Sequence, residues 1–178
     1  MRFQAHLMSL CLLILPLVGV AAEKTIYGLH EYVGIPDFDL EVKAKLDTGA
    51  VTASLSARDI TRFERKGEPW VRFYLAIDGA HAHPIERPIK RISRIKRRAD
   101  DFDPKKEKPY TERPVIELDL CIGETKRTIE VNLTDRTSFE YPLLIGSDAL
   151  VSFGAVVDPS RSFTAGKPGC LKKSKTDK

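Results

Sequence analysis

The chain has 178 residues, 42% hydrophobic and 30% charged, with a formal net charge of +4. That length suits one compact domain rather than two. The charge is unevenly placed: residues 85–113 carry eleven Lys or Arg against six Asp or Glu, and the tail 167–178 carries five Lys against Asp177. No aromatic interleaving or nucleic-acid motif accompanies these basic stretches, so they read as solvated loops and no nucleic-acid partner is expected.

In chain order, residues 1–22 read as a secretory signal peptide. Arg2 gives a positive start, Leu7 to Val20 is an apolar core interrupted by Ser9 and Pro16, and Val20-Ala21-Ala22 offers small residues for cleavage. The core is short for a membrane span, so a periplasmic or secreted protein with no transmembrane span after cleavage is expected. Two cysteines then remain, Cys121 and Cys170. They suit a disulfide in an oxidising compartment, and a buried free Cys121 suits the count equally.

Nearly every patterned segment from Glu23 onward reads as strand. Thr25 to Val33 is the first, and Leu40, Val42, Ala44 and Leu46 then share one face of a half-buried second. Val71, Phe73, Leu75 and Ile77 alternate with more polar residues up to a turn at Asp78-Gly79, and the chain returns through Ala82 to Ile92. Ile116, Leu118, Leu120 and Ile122 alternate before Gly123-Glu124, which turns into a strand bearing Ile129, Val131 and Leu133. One short helix is expected from Asp148 to Phe153, with Ser147 as N-cap and Gly154 as stop. Many short strands and one short helix near the C-terminal end predict an all-β barrel over residues 23–166. Residues 96–112, charged and interrupted by Pro104 and Pro109, read as a mobile basic insertion, and 167–178 as a disordered basic tail.

Asp47-Thr48-Gly49-Ala50 ends the second strand, delivering a carboxylate, a hydroxyl and then a glycine where the chain turns. About a hundred residues later, Tyr141-Pro142-Leu143-Leu144-Ile145-Gly146 is a short apolar run closed by glycine. Together these segments resemble the two signatures of the retropepsin-like aspartic peptidases. The similarity is closer to the bacterial branch that carries the label ATP-dependent zinc protease. It extends through Lys45-Leu46-Asp47-Thr48-Gly49-Ala50, Trp70-Val71-Arg72-Phe73, Glu112-Arg113-Pro114-Val115-Ile116, Leu133-Thr134-Asp135-Arg136 and Val157-Asp158-Pro159-Ser160.

The resemblance implies a small closed retropepsin-like barrel with Asp47 as catalytic acid/base. Thr48, Gly49 and Ala50 would form its active-site loop, and Leu144, Ile145 and Gly146 a supporting wall. Peptide hydrolysis by carboxylates needs two of them about 3 Å apart, sharing one proton. No second Asp-Thr/Ser-Gly exists in the chain. A two-fold homodimer that sets Asp47 against Asp47′, acting on a peptide or protein substrate, is therefore expected. Asp135 and Arg136 are offered as an ion pair bracing the site, and Ile77 to Pro84 as a flap over it. Ser147 departs from the arginine common after this glycine in the family.

Despite the family label, no cofactor and no metal are expected. His81 and His83 would share a strand face, but no third ligand is identifiable, and no lysine-bearing phosphate loop is present. The rival reading is a noncatalytic retropepsin-like module that binds a peptide or envelope partner.

Overall fold

The computed structural model describes residues 23–80, 82–97 and 108–171. The leader 1–22, His81, positions 98–107 of the basic insertion and 172–178 of the tail lie outside the described residues. Among the described residues ten strands and one α-helix follow in order: β1 (Thr25–Ile35), β2 (Leu40–Leu46), β3 (Ala53–Arg65), β4 (Glu68–Leu75), β5 (Ile85–Pro88), β6 (Arg91–Lys96), β7 (Tyr110–Ile122), β8 (Thr125–Thr134), β9 (Leu143–Ile145), α1 (Ser147–Ser152) and β10 (Ala155–Ser162).

Six of these close a barrel. β1 pairs with β2, β2 with β9, β9 with β3, β3 with β8, and β8 with β7. β7 returns to β1 where Val33 faces Ile122 and Gly34 faces Cys121. Closure leaves the barrel without exposed edges. The expected all-β retropepsin-like barrel with one short helix is therefore present. Its interior is filled by the alternating apolar sets: Val42, Ala44 and Leu46 from β2, Ile116, Leu118, Leu120 and Ile122 from β7, and Val131 and Leu133 from β8. Outside the ring, β4 and β5 extend β3 as an arm, β6 extends β7 as a second arm, and β10 adds to β1 in parallel.

Two strands lack an apolar signature. In β3, Ser54 and Ser56 are as buried as Leu55 because their hydroxyls are used: Ser54 Oγ donates to Asn132 Oδ1 (3.0 Å), and Ser56 Oγ accepts from the Arg136 N–H (3.2 Å). β10 contains Asp158-Pro159-Ser160, which is turn chemistry by sequence, yet its parallel ladder with β1 tolerates proline at a sheet edge. The stretch 96–112 is not all loop either, since Lys96 opposes Tyr110, Ile95 opposes Thr111 and Arg94 opposes Glu112.

The chain after β10 is fastened twice to β1 and β7. Glu31, fully buried, accepts from the N–H groups of Gly28 (2.7 Å), Thr164 (3.0 Å) and Ala165 (3.1 Å) and from Thr164 Oγ1 (2.6 Å). Cys121 and Cys170 form a disulfide with Cα atoms 6.3 Å apart, resolving the alternative left by their sequence. Gly34 makes room for this crossing, as a Cβ there would lie 3.1 Å from both Leu171 Cγ and Pro168 Cβ. The bridge closes a loop of 49 residues in sequence separation. Cys170→Ser is expected to lower unfolding free energy by about 3 kcal/mol, read by denaturant titration with and without reductant.

Candidate active site

β2 lies parallel to β9, with Leu46 opposite Ile145, and this pairing sets the Asp47 loop. Asp47 N–H donates to Ile145 O (2.8 Å), Ala50 N–H closes the turn on Asp47 O (3.4 Å), and Gly49 N–H donates to Asp47 Oδ1 (3.0 Å). The carboxylate is thus oriented by its own loop while remaining half-buried, with Thr48 and Gly49 exposed beside it. Leu144 and Ile145 differ in role: Leu144 lines the groove, whereas Ile145 points into the core.

Gly146 supports this loop by having no side chain. A Cβ at this position would lie 2.5 Å from Val51 O and 2.8 Å from the Thr52 carbonyl carbon. The two backbones touch because Ser147 N–H donates to Ala50 O (2.7 Å) and Asp148 N–H to Val51 O (3.2 Å). The helix N-cap is accordingly Gly146 and not Ser147, since carbonyls of the Asp47 loop satisfy the first helical N–H groups in place of a capping side chain. Gly146→Ala must push the loop and the helix start apart. We expect a loss of about 3 kcal/mol and a displaced loop, read by thermal melting and by the Asp47-loop amide resonances in NMR spectra.

A groove of about 820 Å³ opens beside the loop. Its floor is Ala50 to Thr52, Ser54 and Leu144, and its opposite wall is the β6–β7 arm, contributing Arg91 to Ile95, Glu112 and Arg113. The groove wall is therefore drawn from β6–β7, whereas the described residues of Ile77 to Pro84, offered as a flap, do not line the groove, and Ile77 and Ala80 pack on the core. The sequence pointed elsewhere because the turn Asp78-Gly79 is a clear hairpin signal, while the β6–β7 connection is long and charged. Part of the 85–113 stretch, read as solvated loop, likewise turns its arginines into the groove.

Asp135 and Arg136 do not pair. Asp135 is exposed, and Thr137 donates to its Oδ1 through N–H (2.8 Å) and Oγ1 (2.7 Å), holding the carboxyl below its ordinary range. Arg136, next along the chain, turns inward and is only 7% exposed. Its Nε donates to Tyr141 O (3.2 Å) and its guanidinium stacks on Phe139 at 4.6 Å. Burial, and then the neighbouring Arg113, lower its pKa, while the Asp47 carboxylate pulls the other way. Arg113, also lowered by burial, reaches Asn132 Oδ1 at 3.4 Å, and its buried Nε has no partner among the described residues. Arg136 also lines a second cavity of about 260 Å³, with His30, Lys45, Phe139 and Tyr141; the His30 and Tyr141 rings stack at 4.4 Å.

Arg91, Arg94 and Asn132 carry no motif of their own, and Arg113 stands only within the segment Glu112 to Ile116, without a role. Asn132 alone leaves a signal, as a polar residue buried between Val131 and Leu133. Its amide links the groove floor to β8, donating to Ala53 O (2.9 Å).

Residues 26–168 match the family described as RimB-like, retropepsin-like aspartic endopeptidase RimB. The chain belongs to this family. A crystal structure of a Legionella pneumophila protein of unknown function is 38% identical, with a TM-score of 0.64, and the match covers 80% of this chain and 99% of that one. A protein of Shewanella pealeana named probable alpha-L-glutamate ligase is 36% identical over 83% of this chain, and a Parasynechococcus marenigrum protein of the same name is 32% identical over 80%. The matched regions are 31% and 30% of those two proteins, so this RimB-like chain spans about a third of their length. No helix among the described residues of this RimB-like chain is long and apolar enough to cross a membrane.

Proposed function

We propose that this chain is an exported, periplasmic or secreted aspartic endopeptidase in which Asp47 and Asp47′ of a homodimer hydrolyse acidic peptides. The observation that carries the reading is the oriented Asp47 carboxylate, held by Gly49 N–H and by the Ile145 crossing, in a loop whose last residue, Ala50, lines the groove. One aspartate, ionised, takes a proton from water as that water attacks the peptide carbonyl. The other, protonated, donates to the carbonyl oxygen, and the leaving nitrogen is protonated as the intermediate collapses.

A single subunit supplies one such carboxylate, and its surface favours a second copy. β10 is an edge strand, and Ile26 (54% exposed) faces Val156 (47% exposed) in register across β1 and β10. Val51, beside the Asp47 loop, and Val151 in α1 are also exposed. An isologous interface through these apolar groups would place one site on the axis.

The arginines favour an acidic substrate. Arg91 is matched by Glu130 at 2.7 Å and Arg94 by Glu112 at 3.5 Å, but no carboxylate among the described residues bonds Arg113 or Arg136. A carboxylate on the substrate would meet two guanidiniums there. The relatives named for glutamate ligation point to the same chemistry.

A peptide library assayed across acidic to neutral pH tests this. Cleavage should favour peptides with Asp or Glu near the cut, and at low protein concentration the rate should rise with the square of concentration. Binding of acidic peptides without any cleavage would establish the noncatalytic module instead.

A further inference from the structure

Dimerisation of this kind poses an electrostatic problem that the subunit already answers. Two carboxylates brought about 3 Å apart repel strongly in a site that excludes water. A buried cation, in turn, is costly without a compensating anion. Arg136 is such a cation, and its direct partners are a carbonyl oxygen and an aromatic ring, neither of which carries a full negative charge. It lines both the groove beside the Asp47 loop and the smaller cavity behind it, so its guanidinium stands in the wall between them.

We propose that Arg136, seconded by Arg113, is the counter-charge that lets two Asp47 carboxylates meet at the dimer axis. Like the dyad itself, this rests on Asp47 meeting its symmetry mate. Arg136 is a positioning residue here: it holds no reacting atom, and it acts by making a doubly acidic site tolerable away from low pH. Its own backbone is anchored to β3 through Ser56 Oγ, and its Nε to Tyr141 O. The charge therefore stays in place whether or not a partner is bound.

Other charged groups surround the same wall. Lys45 comes from β2 and His30 from β1, with Glu140 and Tyr141 on the loop that carries Arg136. Arg91 and Arg94 from β6 and Glu112 from β7 face the groove side, and Asp135 is turned outward onto Thr137. Because these groups also carry charge beside the same wall, the test needs a background in which only the Asp47 charge is missing.

The experiment measures dimer dissociation by sedimentation equilibrium at about pH 4, where ordinary carboxylates are about half protonated, and at about pH 8, where they are ionised. The proteins are the parent, Arg136→Gln, Arg136→Lys, Asp47→Asn and the double variant Asp47→Asn/Arg136→Gln. Arg136→Gln is expected to weaken the dimer about tenfold more at the higher pH than at the lower, as loss of one nearby charge would. Arg136→Lys, which keeps the charge, should return to within about threefold of the parent. In the Asp47→Asn background the pH-dependent part should vanish.

Equal weakening at both pH values, or a pH-dependent loss that survives Asp47→Asn, overturns the counter-charge role. Should Arg136→Gln not fold, Arg113→Gln at its half-buried position must show the same pH asymmetry, and its absence has the same consequence. Peptide cleavage separates the two levels. If Asp47→Asn still cleaves, the aspartic reading itself fails. If Asp47→Asn is inactive and the cycle shows no coupling, only the role of Arg136 falls.

Discussion

Asp47→Asn is expected to reduce peptide cleavage by about a thousandfold or more while leaving the fold intact, because general acid/base catalysis at the dyad is lost. The asparagine Oδ1 can still accept from Gly49 N–H, and Asp47 N–H still bonds Ile145 O, so the loop keeps both restraints. Melting temperature should shift by no more than about 2 °C, the usual small effect where a half-buried polar group is replaced by one of the same shape that keeps its hydrogen bonds. The stronger result comes from mixing. A threefold excess of Asp47→Asn subunits should lower parental activity to about a quarter, the statistical share of parent–parent dimers in a two-fold assembly. Unaffected parental activity in the mixture would show that one subunit suffices, and the shared dyad would be wrong.

Glu31→Ala is expected to cost about 3–5 kcal/mol of unfolding free energy, as several buried donors lose their acceptor at about 1–3 kcal/mol each, partly relieved by entering water. Glu31 is fully buried and holds three backbone N–H groups and one hydroxyl, from Gly28, Thr164 and Ala165. Alanine would leave those donors unsatisfied in a dry site, and water would have to enter the β1–β10 junction to reach them. Gly28 adds to the sensitivity, since a Cβ there would lie 2.6 Å from Arg161 O and the strands have no slack. Urea titration followed by far-ultraviolet circular dichroism measures the loss. A loss below about 1 kcal/mol, typical of an exposed polar group, would show that the clamp contributes little. Glu31→Gln should recover part of the loss, because an amide oxygen still accepts from backbone N–H groups.

The alternating sets in β2, β7 and β8 were legible because each has one buried face, and period-two burial writes itself into the sequence. The Asp47 loop and the Gly146 run were legible for a different reason: tight turns and backbone contacts demand particular residues. Gly146 must lack a Cβ, and the sequence shows a glycine there. β3 escaped because its buried serines are satisfied by partners far away in sequence, Asn132 and the Arg136 backbone. The groove wall escaped for a related reason. Arg91 and Arg94 look like surface charge until pairing of β6 with β7 turns them toward the groove beside the Asp47 loop.

The sequence by itself determined the barrel class and the residue delivered to its mouth, because strand burial and turn chemistry are local demands. Tertiary structure decided what surrounds that residue. Which arm walls the groove, whether Asp135 or Arg136 turns inward to it, and whether Cys121 meets Cys170 depend on pairings between distant segments. Closure of β7 onto β1 brings Cys121 to the tail, and the β3–β8 pairing brings Arg136 against Ser56. Contacts of that kind depend on chain topology, which no local pattern of residues encodes.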